Sequence, residues 1–130
     1  MTDKVWKLAD FGLSSDQSGY IRVEDRDGVG TRGYRAPEVM TFDDRSFTNK
    51  GDIWALGCII LELVTGARAF ENEHTAIQYY SQSGQTEFGN MRVAIDQYLA
   101  GFRLDPEERQ WMSRRLVSTL SVDLIARPTA

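Results

Sequence analysis

The chain is poor in cysteine: Cys58 stands alone, so no disulfide can form within it, which fits a reducing intracellular compartment. It also lacks an excess of positive charge. Lys and Arg number 15 against 19 Asp and Glu, a net charge of −4, so electrostatics give no reason to expect nucleic acid or an anionic membrane as a partner. Long apolar runs are missing too. The longest, Ile53 to Val64, is interrupted by Gly57 and Glu62 and is too short for a membrane span. Met1-Thr2-Asp3-Lys4 has no apolar core of a signal peptide. There is no internal repeat, no zinc-ligand spacing, no nucleophile elbow and no pair of catalytic carboxylates. His74, the sole histidine, lies in a polar segment and reads as a surface residue.

What remains is ordinary material for one soluble globular domain: 130 residues, 42% hydrophobic and 26% charged. Val5-Trp6-Lys7-Leu8-Ala9 has β-branched and aromatic character and predicts a short strand running into Asp10-Phe11-Gly12. From Ser14 to Gly33 glycines, serines and scattered charges read as a long loop. Helical spacing of Ile53, Leu56, Ile60 and Val64 follows, capped by Thr48 or Asn49 and ended by Gly66. Trp54, Ile59, Leu61 and Leu63 fill its other faces, so this helix, at about 50–66, is expected to be buried all round. A further helix is expected near Thr75 to Tyr80, then a loop from Ser81 to Asn90. Asp105 as N-cap, Pro106 behind it and Glu108 as capping-box acid start a last helix over about 105–120. Met112, Leu116 and Leu120 form its buried stripe with Trp111 alongside, while Arg109, Arg114 and Arg115 face solvent. The expected architecture is mainly α, with at most a short N-terminal strand.

Three signatures stand in order: Asp10-Phe11-Gly12, then Ala36-Pro37-Glu38, then Asp52-Ile53-Trp54-Ala55-Leu56-Gly57. Gly30-Thr31-Arg32-Gly33-Tyr34 precedes the second, and Asp123 to Ala130 ends in Arg-Pro-Thr-Ala. Together they resemble the eukaryotic-type protein kinase domain, whose D-F-G and A-P-E bracket an activation segment, here 10–38. Leu124 stands where that family usually has proline. The resemblance spans the chain from D-F-G to R-P-T-A, and Gln85 to Leu104 is its least specific part.

The resemblance implies the helical C-lobe of a serine/threonine kinase, with ATP and Mg2+ as cofactors and a protein as substrate. Asp10 would be the metal ligand, with Phe11 packed beneath it and Gly12 freeing the turn. Gly30, Thr31 and Tyr34 would border the substrate next to the acceptor. Ala36, Pro37, Glu38, Asp52, Trp54, Gly57 and Arg127 would be structural, with Glu38 and Arg127 meeting as an ion pair. Ser14, Ser15, Ser18 and Tyr20 are candidate modification sites. Asp27 stands where such kinases often carry an activating phosphate, and its carboxylate could imitate one in part; the run Glu24-Asp25-Arg26-Asp27 equally reads as a solvated charged loop.

Phosphoryl transfer in that family rests on several charges held in place at once. This sequence carries no Gly-rich loop, no V-A-I-K-type lysine and no H-R-D-L-x-x-x-N, and only nine residues precede Asp10. The chain is therefore expected to be a piece truncated at both ends, to retain no catalytic residue, to bind no ATP alone, and to leave Asp52 without its usual partners. Apolar surface around Phe11 and the front of the central helix should be exposed. An intracellular setting, cytoplasmic or nuclear, follows from the resemblance. The alternatives are a kinase-like binding module without catalysis and a remnant without function.

Overall fold

The computed structural model describes residues 5, 7–12, 14, 21–22, 30–41, 46–82 and 87–129. Their elements run β1 (Ile21–Arg22), α1 (Pro37–Thr41), β2 (Ser46–Phe47), α2 (Asn49–Thr65), α3 (Glu73–Gln82), α4 (Glu87–Ala100) and α5 (Pro106–Thr119). β1 and β2 form a minimal antiparallel ladder, Ile21 opposite Phe47 and Arg22 opposite Ser46. Everything else regular is helix, so the described part is mainly α.

Each long helix is delimited by local chemistry. Thr48 is extended and its hydroxyl accepts the Lys50 N–H at 3.3 Å, which starts α2. Gly66, at φ 70°, ends it by donating its N–H to the Glu62 carbonyl at 2.8 Å. Before α3, Asn72 and Thr75 exchange bonds: the Thr75 N–H donates to Asn72 Oδ1 and the Asn72 N–H to Thr75 Oγ1. Asp105 and Glu108 do the same at α5, at 2.8 and 3.1 Å.

Burial follows helical period. Trp54, Gly57, Cys58 and Leu61 form the inward stripe of α2, Ala76 and Tyr79 that of α3, Ile95 and Leu99 that of α4, and Leu116 with Leu120 that of α5. The Trp54 ring stacks on Phe70 at 5.4 Å, and Tyr79 tilts against both. Each fully buried large apolar side chain contributes about 1.5–3 kcal/mol. α5 packs on α2 and α4. Gly57 makes the α2–α5 approach possible: a Cβ there would lie 2.5 Å from Thr119 Oγ1 and 3.1 Å from Leu120 Cδ2.

Four expectations need correction. Val5 and residues 7–10 form no strand (Trp6 is outside the described residues). A strand needs a pairing edge, and the ladder that does form uses residues 21–22 and 46–47. The loop expected over Ser81 to Asn90 is shorter, because α3 continues to Gln82 and α4 already begins at Glu87. Ile95 and Leu99, four apart and buried, carry α4; Gly89 and the polar run before it hide its start. α2 is not buried all round, since Leu56, Ile59 and Leu63 are exposed. Trp111 likewise stands out in solvent, its ring covered by the Arg115 guanidinium at 5.5 Å, while Arg109, expected in solvent, is half-buried.

Candidate functional site

Asp10 adopts φ 66°, the one left-handed non-glycine among the described residues. A short polar side chain tolerates that region better than most. The Ser14 N–H donates to the Phe11 carbonyl at 3.0 Å and closes a turn just after it. Asp10, Phe11, Gly12 and Ser14 are all exposed, Phe11 at 66%. A Cβ on Gly12 would meet Asp10 Oδ1 only at ordinary contact distance, 3.5 Å. Space therefore does not require the glycine. Among the described residues no group of three or more ligating side chains could hold a metal. An exposed carboxylate with no partner among the described residues could serve as one ligand of Mg2+, and by itself makes no cage.

Gly30-Thr31-x-x-Tyr34 folds as a turn in which the Tyr34 N–H donates to the Thr31 carbonyl at 3.1 Å. Gly30 (φ 85°) and Gly33 (φ 86°) are both left-handed. At Gly33 a Cβ would also press on the Phe70 carbonyl oxygen at 3.1 Å, so conformation and space both call for glycine. The Tyr34 hydroxyl donates to Glu62 Oε2 of α2. That bond, with desolvation and the Glu62 charge behind it, holds the phenol proton on and raises the Tyr34 pKa. Arg35 ties the same turn to α3: its Nε donates to the Gly30 carbonyl at 3.0 Å and its Nη1 to Glu73 Oε1 at 2.7 Å.

Behind the turn, Glu38 and Arg127 meet while buried, Nη1 to Oε1 at 2.7 Å and Nη2 to Oε2 at 3.2 Å. Nη1 also donates to the Lys50 carbonyl at 2.9 Å, and Nε and Nη2 to the Ser121 carbonyl at 3.0 and 2.8 Å. A guanidinium has five N–H donors, and here all five are used. Its plane further lies 5.0 Å from the Trp54 ring, and the Arg127 carbonyl accepts from Lys50 Nζ. One side chain thus fastens α1, the start of α2 and the turn after α5. Ala36 and Pro37 are buried beside it.

A cleft of about 560 Å3 opens between the turn and the front of α2, lined by Gly30, Thr31 and Tyr34 on one side and by Asp52, Ala55 and Glu62 on the other. Thr31 and Asp52 are exposed there, and among the described residues the Asp52 carboxylate has no hydrogen-bond partner. Asp10 is not part of this lining. The cleft thus brings the turn and Asp52 together and leaves the Asp-Phe-Gly motif apart. Glu62 and Arg35 carry geometry that the sequence did not single out. A carboxylate interrupting an apolar helix was the available signal for Glu62. Cys58 is buried in the core, and burial pushes its thiol up to about 12, so it stays neutral. His74 is exposed on α3. Ser15, Ser18, Tyr20 and Asp27 lie outside the described residues.

Comparison with known proteins gives the family. The sequence family described as "Protein kinase domain" matches residues 1–130. The chain is 36% identical to MAP kinase kinase kinase mkh1 of Schizosaccharomyces pombe over 132 aligned positions, covering 98% of this chain and 11% of that protein. It is 39% identical to mitogen-activated protein kinase pmk-3 of Caenorhabditis elegans over 77 positions, 55% of this chain and 15% of that protein. Against mitogen-activated protein kinase pmk-1 of the same organism it is 41% identical, over 49% of this chain and 16% of that protein. The chain thus spans less than a fifth of the length of these relatives. No solved structure matches it.

Proposed function

The chain belongs to the protein kinase family, and from that premise we propose that residues 1–130 form the activation-segment and helical-lobe portion of an ATP- and Mg2+-dependent serine/threonine kinase acting on protein substrates. These residues transfer no phosphoryl group by themselves. The observation that carries the reading is the cleft that unites Gly30, Thr31 and Tyr34 with Asp52. Thr31 offers a hydroxyl on its wall, and the turn behind it is held by Tyr34 on Glu62 and Arg35 on Glu73. The Gly-Thr-x-x-Tyr pattern favours a Ser or Thr acceptor.

Mg2+ would supply the positive charge that offsets what develops on the transferring group. Asp10 is the residue that would hold it, on an exposed left-handed turn with no competing partner among the described residues. Asp52, also unpartnered among the described residues and lining the cleft, would accept backbone N–H groups from a loop seated there. Positioning and electrostatics make up nearly all of this catalysis, and the sequence contains neither a proton-accepting Asp in H-R-D nor a phosphate-binding lysine strand. The reading places the protein inside the cell, in cytoplasm or nucleus. A binding module without catalysis is the second reading, favoured by the exposure of Val5, Leu8 and Phe11.

Two experiments test this. Purified residues 1–130 incubated with labelled ATP, Mg2+ and mixed acceptor peptides should give no labelled product; incorporation above background would overturn the claim of inactivity. Residues 10–129 exchanged into a complete MAP kinase kinase kinase domain should support transfer to Ser and Thr peptides. Labelling of Tyr peptides alone would overturn the acceptor class.

A further inference from the structure

A second, smaller cleft of about 240 Å3 is lined by Arg92 of α4, by Arg114, Val117 and Ser118 of α5, and by Ser121 and Ala126 beyond it. None of the residues named for the substrate-side cleft contributes to it. Two guanidiniums converge on it and no carboxylate among the described residues lines it. Arg92 has one acidic neighbour, Asp96, at 3.9 Å and half exposed, a separation and setting that contribute little. Arg114 has no partner among the described residues and is exposed. In a chain of net charge −4 this is a local positive site with only Asp96 to offset it among the described residues. Val117 and Ala126 add apolar surface between the two charges.

Size and chemistry narrow the occupant. The volume falls below the roughly 300–1,000 Å3 of drug-sized ligand sites, so it admits one or two side chains and no nucleotide. Arg forks grip a carboxylate or phosphate through paired bonds, and the apolar patch beside them accepts a neighbouring aliphatic group. We propose that the Arg92–Arg114 cleft docks an acidic segment of a partner polypeptide, an acidic side chain held between the two guanidiniums and an adjacent apolar side chain laid on Val117 and Ala126. Opposite charge on the partner steers the encounter and makes it sensitive to salt. The site is separate from phosphoryl transfer and stands whether or not the proposed activity does.

The test uses the whole chain and a fluorescent peptide bearing one glutamate flanked by leucines, read by anisotropy. Binding should weaken as salt rises. R114E should weaken it by about tenfold or more, and R92E/R114E further; R115E, whose guanidinium sits on Trp111, should stay within about twofold. A phosphoserine in place of the glutamate should bind at least as well. Circular dichroism checks that the variants fold, and should R92E/R114E fail that check, R92Q/R114Q takes its place. Equal loss in R115E, equal binding of a peptide with glutamine in place of glutamate, or binding to phosphatidylserine vesicles but not to the peptide would each overturn the proposal.

Discussion

Residues 7–14 and residues 49–127 both carry signature motifs, yet they stand very differently in the molecule. The first stretch leaves Leu8 and Phe11 in solvent and its Asp10 carboxylate without a partner among the described residues. In the second, Trp54 stacks on Phe70, Gly57 lets α5 close on α2, and every donor of Arg127 is used. The contrast separates motifs packed into the fold from a motif left in solvent. Glu38 and Arg127 are satisfied by one another and by backbone carbonyls inside the chain. Asp10, Phe11 and Gly12 are exposed.

The sharpest way to break this contrast is to remove its hub. Arg127→Ala strands Glu38 as a buried, unpaired carboxylate, and stability should fall by about 3–5 kcal/mol, read as a lower midpoint in urea or loss of a cooperative transition. A milder blow strikes the helix contact: Gly57→Ala forces a methyl group onto Thr119 and should cost about 1–3 kcal/mol in the same assay.

Cys58 tests the dryness of the core by pH. Its thiol, pushed from 9.0 to about 12 by burial, keeps a proton in the folded state that the unfolded chain gives up. Stability from this group is therefore complete below pH 9.0 and falls as pH rises from there, by at most about 1.4 kcal/mol per unit. Cys58→Ala should flatten that part of the slope. Asp105→Ala removes one capping bond from α5 and should cost about 1 kcal/mol. Last, Phe11→Ala should change stability by less than about 0.5 kcal/mol, since its ring packs on nothing that the fold needs. A loss comparable to that of Arg127→Ala would erase the distinction between the two regions.

What the sequence revealed divides along physical lines. Signals confined to a few neighbouring residues were legible: the Asp105–Glu108 box, Gly66 as a left-handed cap, and Thr48 at the start of α2. So was the meeting of Glu38 with Arg127, although 89 positions separate them, because the family resemblance supplied the pairing that local chemistry could not. The inward face of α2 was not legible. Ile53 to Val64 is apolar on every side, and only the packing partners choose Trp54, Cys58 and Leu61 for the core while Leu56, Ile59 and Leu63 stay exposed. α4 was missed because its start is polar and glycine-bearing, and Ile95 and Leu99, its buried residues among those described, make too short a stripe. The expected strand at Val5 to Ala9 had the right residue types but no edge to pair with. At the site, the bonds of Tyr34 to Glu62 and of Arg35 to Glu73 come from the tertiary fold, and no spacing rule reaches across 28 or 38 positions.

Backbone amide exchange of the purified chain, resolved by residue, puts the division between the two regions to its most direct trial. Amides of α2 and α5 should exchange slowly and together, as one cooperative unit around Arg127, and those of residues 7–12 should exchange at nearly the rate of an unstructured peptide. Protection of Asp10 to Gly12 equal to that of α2, or fast exchange throughout both helices, would contradict it.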